Sequence, residues 1–440
     1  MIGRTTQKKA RKAPPLEYSL LLTATLCLLA IGAVMVFSAS SATSLLAEGG
    51  GDGFYYLKRT LLFAGIGLIA MRLASVNGVR ASRALTPVLL VVSLFLLFCV
   101  LVPGVGQTVN GSQRWLGAGL LVFQPSELAK IALILYGAHL LATQPKRIRS
   151  LRELAPYLLV VGLALALVGM QPDLGTAMTV TFGVACLLFA AGVRPRTLAP
   201  VAAVAGIALV ALIATNPYQQ ARLTGFLDPG GDPGGAGYQS LQAEIALGSG
   251  GVMGRGLGES VQKAFYLPEA HTDMVSAVYG EETGLAGMAV LMGLFGMFGY
   301  AGFRAAHRAR DRYSKLLAAG LTSLIMGQAS INLFAVLGLA PLTGVPLPFV
   351  SYGGTSLVVT LAAAGLILNV ARRPAAASTR SSQGKGARGA AAGGERLRVL
   401  EGGDEKIRRR RAGSANSRDS RRRHGGARGT GNSRRRRAAR

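Results

Sequence analysis

Residues 18–37 read YSLLLTATLCLLAIGAVMVF, twenty residues without a charged side chain. A helix of that length crosses about 30 Å of hydrocarbon and satisfies its backbone polar groups internally, the condition for spanning a bilayer. No small-residue cleavage site leading into a soluble domain follows it, so it reads as a retained span and not as a signal peptide. Nine more runs of this kind follow, at 57–74, 85–102, 126–141, 154–170, 174–192, 198–215, 283–303, 314–338 and 351–370. Composition agrees, because a chain of 440 residues that is 50% hydrophobic and 15% charged is too apolar for a string of soluble domains. The expectation is an all-α polytopic membrane protein of ten transmembrane helices.

The net charge of +28 looks at first like that of a nucleic-acid binder. Most of the excess lies at the two ends. Residues 371–440 hold 22 Lys/Arg against 5 Asp/Glu, and residues 1–19 hold five against one. Basic side chains in short connections resist translocation and set orientation. With the N-terminus cytoplasmic, the inner connections carry fourteen Lys/Arg, among them Arg72, Arg80, Arg83, Lys146, Arg147, Arg149 and Arg310. The outer ones carry six: Lys58, Arg59, Arg114, Arg222, Arg255 and Lys263. Both termini are therefore expected inside. The domain plan is a basic cytoplasmic segment at 1–17, a ten-helix membrane domain at 18–370, and a basic tail at 371–440. A large extracytoplasmic loop at 216–282 separates helices 7 and 8. The tail, rich in Arg, Gly, Ser and Ala, reads as disordered and as attracting anionic membrane lipids, with no nucleic acid expected. Cys27, Cys99 and Cys186 all lie in apolar runs, so no disulfide framework is indicated.

Twelve of the twenty Asp/Glu then fall on or near the outer face, where carboxylates are expensive unless they have a task. The candidates for chemistry among them cluster in QPSELAK at 124–130, QPDLGT at 171–176 and LPEAHTD at 267–273. Helix capping explains Glu127 and Asp173 as readily as chemistry does, since an acid in the first turn satisfies orphan N–H groups. A Thr272 or Asp273 cap is the bland reading of the third segment. Lys130, one turn inside an apolar helix at i+3 from Glu127, has either a structural ion pair or a role at a phosphate-bearing ligand. The glycine-rich stretch at 248–258 lacks the strand before it and the Lys-Ser/Thr after it that a nucleotide loop requires, so it reads as an adaptable turn. GVPLPFVSYGGTS at 344–356 breaks the helical pattern at membrane depth, which is tolerated where backbone is buried in protein or lines a cavity.

The ordered series GSQRWL (111–116), QPSELAK, QPDLGT, YLPEAHTD (266–273) and GVPLPFVSYGGTS resembles the SEDS family of bacterial peptidoglycan glycosyltransferases. Residues 254–260 and 268–271 resemble its cell-division branch, FtsW, more than its elongation branch, RodA. Met274 and Thr355 depart from the residues usual at those places. The resemblance implies polymerisation of lipid II, the undecaprenyl-diphosphate-linked precursor, at the outer face of the bacterial cytoplasmic membrane at the division septum. It also implies a cognate class B penicillin-binding protein, the FtsI-like septal transpeptidase, and other divisome proteins as partners. Asp273 carries over as the catalytic carboxylate. Arg114, Glu127, Lys130, Asp173, Glu269, His271 and Ser351 carry over as substrate-binding or supporting positions.

That chemistry fits the residues. Glycosyl transfer to a sugar hydroxyl needs a base, which an ionised carboxylate supplies. The departing diphosphate needs cations, for which Lys130 and Arg114 are candidates. A divalent cation, Mg or Mn, held by the diphosphate and one or two carboxylates is compatible with this site. No all-protein metal cage and no organic cofactor is expected. A lipid II flippase and a non-catalytic divisome scaffold are the alternative readings. A flippase needs polar lining that reaches the cytoplasmic face, and a proton-coupled transporter needs ionisable groups at the midplane.

Overall fold

The computed structural model describes residues 14–45, 52–109, 112–117, 122–145, 150–231, 234–235, 237–264 and 266–372. The basic tail beyond 372, the first thirteen residues, Gly111 and the loop cations Lys146, Arg147 and Arg149 lie outside the described residues.

In chain order the helices are α1 (Leu16–Leu45), α2 (Tyr55–Leu101), α3 (Pro125–Thr143), α4 (Leu151–Met170), α5 (Leu174–Ala191) and α6 (Pro195–Thr215). They continue as α7 (Pro217–Leu227), α8 (Tyr238–Ser249), α9 (Val275–His307), α10 (Arg312–Val336) and α11 (Gly354–Arg372). Eight of them, α1, α2, α4, α5, α6, α9, α10 and α11, are long and apolar enough to cross a membrane. Helix α3 has nineteen residues but carries Glu127 and Lys130 near its start and is not among the eight. The strongly buried helix α10 packs against α3, α5, α9 and α11 and forms the axis of the core.

A straight helix of 47 residues would be about 70 Å long, but α2 does not run straight. Its first part follows α11, with Phe63 against Gly354 and the Ser75 carbonyl accepting from Asn369 Nδ2 at 2.8 Å. Three residues later Gly78 meets Leu366, a step back along α11. The Leu97 carbonyl accepts from Gln171 Nε2 at 3.0 Å, beside the Asp173–Gln124–Thr355 contacts at the end where α11 begins. Both ends of α2 thus meet the same end of the bundle. The two sequence runs at 57–74 and 85–102 occupy its outgoing and returning parts.

Two expectations need correction. The fold is not purely helical: β1 (Gln107–Val109) and β2 (Ser112–Trp115) pair antiparallel with an irregularity between Gln107 and Thr108. The second concerns the loop between the seventh and eighth runs, expected without helices of its own. Helices α7 and α8 lie within it, and α9 starts at Val275 rather than near 283.

Helix α9 is broken at Gly284, where φ is 66° and ψ is −165°. A break strands carbonyls on one side and N–H groups on the other, and lipid offers them no partners. The glycine-rich stretch supplies partners. Leu285 and Ala286 N–H donate to the Gly251 and Val252 carbonyls at 2.9 and 3.1 Å, while Arg255 and Gly256 N–H donate to the Glu281 and Glu282 carbonyls at 3.0 Å each. The side chains reinforce this clamp. Glu282 Oε1 accepts from Lys263 Nζ at 2.9 Å and from the Ser38 hydroxyl of α1, and Glu281 accepts from the Ser260 hydroxyl and from Val261 N–H at 3.1 Å.

A Cβ at Gly284 would strike the Gly254 amide and the Val252 carbonyl, and its φ favours glycine in any case. Gly284→Ala should therefore cost about 1–3 kcal/mol. Thermal unfolding in detergent should show a lower midpoint, and hydrogen exchange should quicken at Leu285 and Ala286. Unchanged exchange at those two amides would show that the clamp does not depend on this glycine.

Candidate active site

Asp173 stands at the entrance to α5. Its Oδ1 accepts from the Thr176 amide at 3.1 Å, so the capping expectation holds, and its Oδ2 accepts from Gln124 Nε2 at 3.3 Å. Arg114 reaches it from β2 at 3.8 Å and donates through Nε to the Gln171 carbonyl at 3.1 Å and through a terminal nitrogen to the Pro172 carbonyl. Gln219 of α7 also donates to the Pro172 carbonyl, at 3.0 Å. The corner between α4 and α5 is thus held by a hairpin arginine and a loop glutamine, and the carboxylate is both a cap and an ion-pair partner.

One turn into α3, Lys130 Nζ donates to Glu127 Oε1 at 2.9 Å and to Gln328 Oε1 of α10 at 2.8 Å. Both charged residues are only 3% exposed. The i,i+3 spacing puts them on one face, and that face turns inward because α10 offers a polar partner there. Gln328 passes the link on, donating to the Pro346 carbonyl at 2.9 Å.

Asp273 precedes α9, whose N-cap is Met274 with no side-chain cap bond, so neither Asp273 nor Thr272 serves as the cap. The residue is 6% exposed and makes no ion pair among the described residues. Burial pushes its carboxyl up to about 6, the Arg222 guanidinium from α7 pulls the other way, and Glu269 adds to the rise. Gly344 lies between the two charges. A Cβ there would come within 3.4 Å of an Arg222 nitrogen and 3.8 Å of Asp273 Oδ2. Arg222 is fixed by the Leu342 carbonyl at 3.0 Å and the Tyr218 hydroxyl at 2.6 Å. Asn332 of α10 holds the backbone, donating to the carbonyls of Asp273 at 2.7 Å and Val345 at 2.8 Å.

The other expected residues take different places. Glu269, with φ of 55°, accepts from the Thr272 hydroxyl at 2.6 Å and stands on the exposed side of Asp273. The His271 ring packs against Tyr56 and Tyr352, with centroids at 4.5 and 5.6 Å, and burial lowers its pKa. The Ser351 hydroxyl accepts from the Leu347 amide at 2.8 Å and closes a turn. Among the described residues no three His, Cys, Asp or Glu side chains gather as a metal site.

One irregular segment, 342–352, joins the charged groups. Leu342 meets Arg222, Val345 meets Asn332 and packs on Gly175 of the Asp173 corner, and Pro346 meets the Gln328 that touches Lys130. Arg222, Gln328 and Asn332 were not among the expected site residues. The last two were visible as polar side chains at i,i+4 within the apolar run 314–338. Arg222 had no signal beyond being one of six outer cations.

Comparison with known proteins fits this arrangement. A probable peptidoglycan glycosyltransferase FtsW of Geobacter sp. (strain M18) is 40% identical over 343 residues, covering 78% of this chain and 93% of that protein. Stage V sporulation protein E of Bacillus subtilis (strain 168) is 41% identical over 354 residues, covering 80% and 96%. Among solved structures, a chain of a peptidoglycan synthase complex that coordinates polymerization and crosslinking superposes with a TM-score of 0.65 at 32% identity. It covers 80% of this chain and 96% of that one. The rod shape determining protein RodA of Thermus thermophilus superposes at 0.59 and 31%, covering 80% and 95%. The family model for FtsW, RodA and SpoVE, described as cell cycle proteins, matches residues 18–375, and this chain belongs to that family.

Proposed function

We propose that the protein polymerises lipid II into glycan strands at the membrane face where Asp273 lies, with Asp273 as the general base. Peptidoglycan glycosyl transfer is the activity for which the FtsW of Geobacter is named and the one this site suits. The observation that carries the assignment is the environment of Asp273: buried, free of capping duty, unpaired, and facing a fixed cation across a glycine. A carboxylate with a pKa near 6 is mostly ionised at neutral pH yet basic enough to take a sugar hydroxyl proton as the glycosidic bond forms.

The diphosphate leaves as an anion, and Arg222, fixed on α7, is placed to meet the charge that develops there. Lys130 retains a third N–H beyond its bonds to Glu127 and Gln328. Arg114 is engaged at the Asp173 corner and acts by holding it. A divalent cation would take diphosphate oxygens, water and the Glu269 carboxylate as ligands, leaving Asp273 free as base, and would neutralise charge on the leaving group.

Ten crossings follow if α3 is counted and α2 is read as two. Both ends then lie inside, and the outer cations include Arg114 and Arg222. A cognate class B penicillin-binding protein at the division septum is the partner we infer, supported by the likeness to a complex that couples polymerization with crosslinking.

Asp273→Asn keeps size and removes the charge. In proteoliposomes supplied with lipid II and the partner, polymer yield should fall about 100-fold or more while the variant inserts normally. Polymer made at near wild-type rate would refute the base. The wild-type rate should decline as pH falls through about 6, since protonation removes the base. Arg222→Gln removes the influence that lowers the Asp273 pKa, so the acid limb should move to higher pH. A limb at the same pH would separate Arg222 from Asp273.

For Glu127 and Lys130, either single alanine leaves a buried charge without its partner, at a cost of about 3–5 kcal/mol. The double variant should be no worse than the singles in polymer yield and melting temperature. Strictly additive losses would mean that the two act separately.

A further inference from the structure

At the end of the bundle away from Asp273, a cavity of about 520 Å³ opens between α2, α10 and α11. Ser314 in its wall is eighteen residues before Asn332 on α10, which is about 27 Å of helix. The polar lining is Asn77, Arg80, Arg83, Arg310, Asp311, Ser314 and Asn369. Three guanidinium groups thus face one carboxylate.

That carboxylate is already engaged. Asp311 takes Arg83 at 2.9 Å on one oxygen and the Ser314 hydroxyl at 2.6 Å on the other, while Arg83 lies 4.3 Å over the Tyr313 ring. Arg83 and Ser314 together hold the Asp311 carboxyl below the usual range even though partial burial raises it. Arg80 has no described partner and lines the cavity as a free cation. On α2, Leu73 is four residues before the lining residue Asn77 and Leu85 is next to the lining residue Ala84, and the two leucines are 69% and 50% exposed.

Excess positive charge in a recess of headgroup size, bordered by apolar side chains on a membrane helix, is complementary to one chemistry: a phosphodiester with acyl chains attached. We propose that this cavity binds the headgroup phosphate of an anionic phospholipid, with Arg80 as its principal contact and Leu73 and Leu85 beside the acyl chains. The site rests on the chain spanning a bilayer and is independent of the glycosyl-transfer assignment.

The test uses the full chain in phosphatidylcholine vesicles doped with phosphatidylglycerol bearing a photoreactive acyl chain, with crosslinked peptides mapped by mass spectrometry. Crosslinks should concentrate on the peptides around 73–85 and 310–314. They should fall about five-fold in Arg80→Gln, the equivalent of one cation near an anionic headgroup. They should rise in Asp311→Asn, which removes the opposing charge yet can still cap α10. Equal melting temperatures for Arg80→Gln and wild type would tie the loss to binding. A phosphatidylcholine probe should not give this pattern. Crosslinks confined to residues beyond 372, or unchanged in Arg80→Gln, would overturn the proposal. Displacement by millimolar inorganic phosphate would reassign the site to a free anion and overturn the lipid.

Discussion

A charge buried among apolar helices has to be paired, used as a cap or neutralised, and the arrangement of this protein follows from how its buried acids meet that demand. Glu127 is met by Lys130, Glu282 by Lys263, and Glu17 by Arg304 and Arg308 at 2.9 and 2.6 Å. Asp173 spends its charge on the first turn of α5. The Glu282 and Glu17 pairs tie separate elements together, whereas the Glu127–Lys130 pair lies within α3 and reaches α10 through Gln328. Asp273 is the exception: its carboxyl is buried like the others but is left to titrate.

The second organising feature is irregular backbone. Two stretches within the bundle abandon the helix, one at Gly284 and one at 342–352, and both are wrapped in protein donors and acceptors rather than lipid. The first fixes the direction from which α9 presents Asp273. The second threads between Arg222, Asn332 and Gln328, and its Gly344 leaves the space that separates acid from cation. Left-handed backbone at Glu269 and Phe349, φ 55° and 67°, lies near these same stretches.

Hydropathy made the spans legible because lipid-facing helices have few sequence solutions. Where the sequence misled, the cause was a partner distant along the chain. Residues 275–282 read as loop because Glu281 and Glu282 interrupt the apolar pattern, but the groups that satisfy them, Ser260 and Lys263, come from the loop before α9. The hairpin's strands of three and four residues are too short to show alternation. Motif and resemblance singled out Asp273, Glu127, Lys130 and Asp173 as candidates. The capping by Asp173 and the pairing of Lys130 needed neighbours to decide. Arg222 was beyond reach, since nothing local distinguishes it from any loop arginine.

Helix α6 has no buried residue at all. Asn216 is at once its C-cap and the N-cap of α7, so the helix least held by protein joins the helix that carries Arg222 through a one-residue corner. A span with so few protein neighbours has little packing to fix its tilt. Any change in the lean of α6 would pass through the Asn216 corner into the helix that carries Arg222.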